Sequence, residues 1–314
     1  MGTQCLGFDT SNYTTSAAVF GGGTAENRGR LLTVPEGALG LRQSDALFQH
    51  VKRLHLMVEQ LRSEGAVGQI AAVGASTRPR EAEGSYMPCF LVGEGEGRAL
   101  AAAVGVPFYP CSHQQGHVAA AAWSAGREDL LDKPHLAWHL SGGTTELLRV
   151  EPEGHTVRAE VIGGTSDISA GQLVDRAGLL LGLPFPAGKA LDGLYPEADG
   201  AGFFRVKLNG LTFSLSGMEN KVKELAEKGE KPANVARFTI DTIMDVLLRA
   251  TREAQRKWPG LPVLCSGGVA SNRQIRAALE QACGAVFAQP QYATDNALGV
   301  AILAHRALER GIPG

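Results

Sequence analysis

No Cys-x-x-Cys pair occurs in this chain, and its five cysteines, Cys5, Cys89, Cys111, Cys265 and Cys283, are odd in number and widely scattered. This excludes a thiolate zinc knuckle, argues against a disulfide framework and suits a reducing compartment. Long apolar runs are also missing. None approaches the roughly 18 residues that a membrane-spanning helix needs, and the N-terminus enters a strand-like run without the basic and apolar segments of a signal peptide. A cytoplasmic protein with no membrane contact is expected. Nor does one sign of charge dominate: 30 Lys and Arg stand against 32 Asp and Glu, a formal net charge of −2. A nucleic-acid substrate would have to be met by a local basic patch or through a partner.

What the chain does have is apolar material in a regular pattern. Hydrophobic residues make up 44% and charged residues 20% of its 314 positions, enough for packed cores and against extensive disorder. The length exceeds that at which one core usually stops growing, so two lobes are expected.

Strand-length apolar runs separated by turn residues predict an antiparallel meander over 4–9, 14–20 and 30–34, broken at Thr10 to Tyr13 and at Gly21-Gly22-Gly23. Ser44 is placed to cap a helix in which Leu47, Val51, Leu54, Val58 and Leu61 recur at helical spacing. A buried strand over 70–75 and a glycine-loosened helix over 87–104 follow, then a proline-bounded link over 107–110. A second meander is predicted over 135–140, 145–150 and 157–162. Beyond it come helices over 170–181, 216–228, 233–257, 271–282 and 295–310, and strands over 203–208, 262–265 and 285–288. Each half thus opens with strand, polar turn, strand, strand and continues into helices. This architectural duplication predicts two related α/β lobes facing a cleft.

Two patterns carry chemistry. In Cys111-Ser112-His113-Gln114-Gln115-Gly116-His117, two histidines sit four residues apart at the start of an alanine-rich helix. One helical turn puts both imidazoles on one face, where they could share a cation; the plainer alternative is a surface or satisfied core pair. The second pattern is strand, Gly-Gly, helix, at Ser141-Gly142-Gly143 and Ser266-Gly267-Gly268. Glycines there admit phosphate oxygens to backbone N–H groups, although such turns also serve as plain tight connections. Arg249, Arg252 and Arg256 beside Lys257, and the lysines from Lys221 to Lys231, are either phosphate contacts or solvated faces.

The ordered set His113-Gln114-Gln115-Gly116-His117, Leu140-Ser141-Gly142-Gly143-Thr144-Thr145, Val174-Asp175-Arg176, Pro186-Ala187-Gly188, Phe213-Ser214-Leu215-Ser216-Gly217, Ser266-Gly267-Gly268-Val269-Ala270-Ser271-Asn272-Arg273 and Thr294-Asp295-Asn296 resembles one family over nearly the whole chain. That family is the tRNA N6-adenosine threonylcarbamoyltransferases, formerly the O-sialoglycoprotein endopeptidases. The resemblance implies a two-lobed actin-like, Hsp70-like and sugar-kinase-like fold around a nucleotide cleft. The lobes would be residues 1–110, completed by the C-terminal helix 295–310, and residues 111–314, which carry the metal-binding helix.

The resemblance also implies one divalent metal, iron or zinc, on His113, His117 and Asp295, although Asp295 alone would serve equally as a helix cap. It implies ATP, ADP or threonylcarbamoyl-adenylate on His139, Leu140, Ser141, Gly142, Gly143, Asp175, Gly188, Asp192 and Asn272, with Asp9 and Ser11 as catalytic positions. Asn272 alone could equally cap the following helix. The acyl group would pass to N6 of an adenosine beside a tRNA anticodon, with the metal as Lewis acid. A paralogous actin-like subunit and a small ATPase are the implied partners, and a homodimer is the other assembly considered. The old protease activity fits poorly, because a zincin needs a glutamate where this chain has Gln114.

The chain departs from the family pattern in its first lobe. Asp9-Thr10-Ser11-Asn12-Tyr13-Thr14 stands where Glu-Thr-Ser followed by Cys-Asp-Glu is usual, and Arg78 to Ser85 replaces a Gly-Pro-Gly turn. Gly143-Thr144 and Val174-Asp175-Arg176 stand for Gly-Gly-His and Phe-Asp-Lys. A catalytically altered paralogue, holding ATP or ADP and metal as a scaffold or regulatory subunit, is therefore the alternative to the transferase.

Overall fold

The computed structural model describes residues 3–34, 41–200, 202–294 and 296–314. The chain divides into two compact units, one within 1–132, 151–159 and 295–314, the other within 133–150 and 160–294. Among the described residues no helix is long and apolar enough to cross a membrane.

The first unit is laid down as β1 (Gln4–Thr10), β2 (Thr14–Gly21), β3 (Thr24–Leu31), α1 (Gln43–Ser63), β4 (Ile70–Arg78), α2 (Phe90–Val104), β5 (Phe108–Ser112) and α3 (His113–Ser124). Its sheet runs in the order β3-β2-β1-β4-β5, with β2 antiparallel to β1, β4 parallel to β1 and β5 parallel to β4. Strand β1 is buried along its whole length, as a central strand covered on both faces must be.

The chain then forms β6 (His135–Leu140), β7 (Thr145–Glu153), β8 (Thr156–Thr165), α4 (Ala170–Leu180), α5 (Gly188–Leu194), β9 (Leu208–Asn209), β10 (Thr212–Phe213), α6 (Ser216–Glu227), α7 (Pro232–Lys257), β11 (Val263–Ser266), α8 (Arg273–Cys283), β12 (Val286–Phe287) and α9 (Leu298–Glu309). The second sheet has the order β12-β11-β6-β7-β8-β10-β9. Here β7 is antiparallel to β6, β11 parallel to β6 and β12 parallel to β11. The series β8-β7-β6-β11-β12 therefore repeats β3-β2-β1-β4-β5, and the duplication is explicit in topology.

Helix α9, last in the chain, returns to the first unit and is buried from Leu298 to Ala304 and at Ala307. It lies against sheet and helix where side chains are missing. A Cβ on Gly7 of β1 would stand 2.6 Å from Ala301 N, and one on Gly299 would stand 1.8 Å from the Gly116 carbonyl oxygen of α3. On β4, a Cβ on Gly74 would meet Val300 Cγ1 at 3.1 Å. Helix α1 closes the other side of the sheet with Leu54, Met57 and Leu61, and its buried His50 meets Thr15 Oγ1 through Nδ1 at 2.8 Å.

Several boundaries differ from expectation. Gly21, Gly22 and Gly23 all have positive φ and make a tight hairpin, so β3 starts at Thr24 rather than Arg30. Where residues 107–110 are expected as a link, Phe108–Ser112 form edge strand β5, which tolerates Pro110 because an edge leaves an N–H side free. Arg42 rather than Ser44 stands at the N-cap of α1, without a side-chain bond. The short α5 has no counterpart in the sequence pattern, and residues 203–207 are not a strand. The division expected near residue 110 falls instead after residue 132, because α3 packs on α9 across Gly116 and Gly299.

Gly299→Ala forces α3 and α9 apart and is expected to destabilise by about 1–3 kcal/mol. Gly95→Ala, on α2 with nothing within 4 Å of the added Cβ, is expected to gain roughly 0.5–1 kcal/mol. Thermal melts of the two variants check this, and equal melting temperatures would refute it. Burial pushes His50 down from 6.5 to about 4, against smaller upward pulls from the Ser11 backbone and Asp9. The unfolded chain therefore takes up this proton before the folded one, and stability is lost as pH falls from 6.5 to 4, by on the order of 3 kcal/mol. Urea midpoints should fall across that window in the wild type and much less in His50→Asn, which keeps a partner for Thr15; equal slopes would remove the assignment.

Candidate functional site

The histidine helix starts where its sequence provides a capping box. Ser112 Oγ accepts from Gln115 N at 3.2 Å, and Gln115 Oε1 accepts from Ser112 N at 2.8 Å. Gln115 Nε2 also donates to the Val157 carbonyl at 2.8 Å, and Gln114 N donates to the Pro79 carbonyl at 3.0 Å. Thus His113 occupies the first helical position with its backbone pinned on both sides.

His113 Nε2 and His117 Nε2 then lie 2.9 Å apart. Metal–nitrogen bonds of about 2.0–2.1 Å at right angles would place two donors about 3 Å apart, so the pair fits two neighbouring positions around one divalent ion. Among the described residues no set of three His, Cys, Asp or Glu side chains converges as a metal centre. Asp295, the third expected ligand, lies outside the described residues. Behind the pair, Asp9 Oδ1 faces His113 Nδ1 at 2.9 Å.

Asp9, expected to be catalytic, is only 1% exposed, and Ser11 is likewise buried, its Oγ without a hydrogen-bond partner among the described residues. Next in the turn, Asn12 Oδ1 accepts from Gln43 Nε2 at 2.6 Å, and Tyr13 projects outward. All five cysteines are free and buried, and burial pushes Cys111 and Cys265 upward, so neither offers a thiolate.

The expected nucleotide residues gather in the second unit. Strands β6 and β11 are parallel neighbours with Ser266 opposite His139, so both Gly-Gly turns leave the same end of the sheet. This is the end at which parallel α/β sheets bind ligands. Gly267 has φ +98° and sits against the Leu140 backbone, where a side chain could not fit; the Leu140 side chain is core. Ser169, which caps α4, donates from Oγ to the Gly142 carbonyl at 2.6 Å. A Cβ on Gly142, Gly143 or Gly268 would meet nothing within 4 Å, so there is open space on that side of each, although the Gly142 backbone packs against Gly171 on another side. Gly188 is nearly as open.

The polar members of this set are engaged with the fold. Asp175 Oδ1 accepts from Ala187 N at 2.8 Å, just before Gly188. Asn272 Oδ1 caps α8 by accepting from Gln274 N and Ile275 N, each at 3.1 Å, while its Nδ2 donates to Asp192 Oδ1 at 3.0 Å. Arg273 Nε donates to Asp192 Oδ2 at 2.7 Å.

Sequence reasoning missed two residues. Ser76 donates to Asp9 from β4. Asp167 accepts from Ser214 Oγ and the backbone N–H groups of Leu215 and Ser216, which makes the Phe213 to Gly217 motif an anchored start to α6. Burial would raise the Asp167 carboxyl, but these bonds outweigh it and hold it well below the usual range. A carboxylate two residues beyond the end of β8, bonded to a Ser-x-Ser pair far along the chain, leaves no local signal.

The basic stretches are largely paired. Arg249 is bound to Asp245 and the Val206 carbonyl, Arg256 to Glu253, Lys221 and Lys228 to Glu224, and Lys231 to Asp199.

A family model for tRNA N6-adenosine threonylcarbamoyltransferase matches residues 40–302. A tRNA N6-adenosine threonylcarbamoyltransferase of Thermus thermophilus is 34% identical over 275 residues, covering 84% of this chain and 80% of that protein. That of Bacillus subtilis is 32% identical over 282 residues, covering 84% and 78%. Among solved structures, full-length HypF in its phosphate- and nucleotide-bound form superposes with TM-score 0.62 at 14% identity, over 99% of this chain and 56% of that one. The ROK hexokinase of Thermus thermophilus gives 0.53 at 15% identity, over 98% and 100%. At such identities the likeness is one of fold.

Asn272→Ala removes the cap of α8 and the bond to Asp192, and is expected to cost about 0.5–2 kcal/mol. A denaturant midpoint equal to that of the wild type would show that the cap contributes nothing.

Proposed function

The chain belongs to the tRNA N6-adenosine threonylcarbamoyltransferase family, a family of acyltransferases, and on that premise we propose that it transfers the threonylcarbamoyl group of threonylcarbamoyl-adenylate to N6 of an adenosine beside a tRNA anticodon. The observation that carries the reading is the approach of His113 Nε2 to His117 Nε2 at the mouth of a capped helix. His113 and His117, with Asp295, would hold iron or zinc. When bound, such an ion supplies a Lewis acid and a template for the acyl carbonyl.

The remaining work falls to the chain's own groups. The open space beside Gly143 and Gly268 leaves room for a phosphate at the turns, which suits an adenylate or ATP and ADP. Asp175, Asp192 and Asn272 would complete the nucleotide site, and each is held in place by the bonds described above. Attack by an adenine amine on an activated acyl group requires orientation and charge stabilisation more than a strong base. The absence of a glutamate at Gln114 is consistent with that economy and weighs against peptide hydrolysis.

Our reading of the partners is a paralogous actin-like subunit and a small ATPase, or a homodimer, acting in the cytoplasm. The paired lysines and arginines favour sharing the tRNA with such a partner. A second reading, a scaffold that holds nucleotide and metal without transfer, is favoured by the engagement of both Asp192 oxygens with Asn272 and Arg273.

Purified protein, supplied with threonylcarbamoyl-adenylate, unmodified tRNA and the partner proteins of a related transferase, is expected to yield the modified adenosine, and His117→Ala to lower the yield by at least tenfold. Binding of ADP with no product, where a related transferase turns over, would replace the transferase by the scaffold.

A further inference from the structure

Asp9 and Ser76 are polar, almost fully buried and directed at one point. Asp9 Oδ1 accepts from Ser76 Oγ at 2.5 Å and faces His113 Nδ1 at 2.9 Å. Strand register accounts for the meeting. Phe8 of β1 stands opposite Ala75 of β4, so residues 9 and 76 leave neighbouring parallel strands side by side. Ser76 is in turn opposite Cys111 of β5, and His113 follows directly on that strand as the first residue of α3. Three adjacent strand ends thus deliver one hydroxyl, one carboxylate and one imidazole.

A carboxylate oxygen offers lone pairs, so the hydrogen between Asp9 and the imidazole sits on Nδ1 of His113. The other nitrogen, Nε2, then carries a lone pair, and it is this atom that lies 2.9 Å from Nε2 of His117. A carboxylate behind an imidazole fixes its ring orientation and raises the basicity of the far nitrogen. At 1% exposure Asp9 has little access to a substrate atom, whereas its contact with His113 is direct.

We propose that Asp9, held by Ser76, is a positioning residue for His113: it sets the Nδ1–H tautomer and aims Nε2 toward His117. This replaces the catalytic role expected for Asp9. Its consequence for metal binding rests on the reading of His113 and His117 as ligands, while the tautomer stands on the hydrogen bonds alone.

Two readouts test it on the full chain. Nitrogen-15 NMR of histidine-labelled, chelator-treated protein should show His113 as the Nδ1–H tautomer, with that preference lost in Asp9→Ala and weakened in Ser76→Ala. Zinc affinity, measured by competition with a chromogenic chelator, should fall about 10–100-fold in Asp9→Ala and several-fold in Ser76→Ala, and be restored by Ser76→Thr. Ser76→Ala decides the matter if Asp9→Ala does not fold.

An Nε2–H tautomer in the wild type overturns the proposal. So does zinc binding in which both variants match the wild type while His117→Ala has lost the metal; the ligand reading then survives and the positioning role falls. If the wild type binds no zinc yet shows the Nδ1–H tautomer that Asp9→Ala removes, the positioning role stands and the ligand reading falls.

Discussion

The packing of α9 without intervening side chains is the constraint on which the first unit depends. Gly7 and Gly74 let the helix lie directly on β1 and β4, and Gly299 faces the backbone of α3 at Gly116. At Gly7 and Gly299 the backbones approach too closely for an added carbon, and at Gly74 the fit is tight, so α9 locks the sheet and α3 into one register. The histidine pair inherits that precision. His113 is one residue beyond β5, and His117 one turn further on, so the geometry of both follows from where α3 is allowed to sit. A pair of ligands on a loosely held helix would lose the preorganisation that makes a metal or acyl site effective.

The two units contribute different chemistry from the same topology. In the first, the C-terminal ends of β1, β4 and β5 supply carboxylate, hydroxyl and imidazole. In the second, the equivalent ends of β6 and β11 supply two Gly-Gly turns, in which Gly142, Gly143 and Gly268 are exposed while Gly267 packs on the Leu140 backbone. Duplicated sheets have thus been fitted with side-chain functions in one copy and backbone functions in the other. Asn272 and Arg273 both bond to Asp192, which ties the start of α8 to α5.

Much of this arrangement was legible in the chain itself, for reasons that differ from residue to residue. Ser112 and Gln115 form a local capping box, so the start of α3 and the common face of His113 and His117 follow from neighbours in sequence. Asn272 presented two roles, and its amide is seen to cap α8 while reaching Asp192. By contrast, β5 was hidden because Pro110 reads as a strand breaker, and only its place at the sheet edge makes the proline harmless. Ser76 and Asp167 act at partners 67 and 47 residues away, a distance over which side-chain chemistry leaves no periodic signal. The basic stripe on α7 looked equally like a phosphate contact and a solvated face, and pairing to Asp245 and Glu253 is decided by rotamers rather than by spacing.

The first-unit departures gain meaning once Asp9 is seen from the side of His113. The turn that bears Tyr13 and Thr14 where the family pattern has an acidic pair keeps the carboxylate of Asp9, the buried one that addresses the imidazole. Asn12 has become a hydrogen-bond partner of Gln43 on α1, and Tyr13 faces outward. The loop beyond β4 has likewise exchanged flexible glycines for Arg78 and Arg80, and it still presents the Pro79 carbonyl to the first turn of α3. Asp9 and the Pro79 carbonyl thus both bear on the start of α3, the one at the imidazole of His113 and the other at the Gln114 N–H.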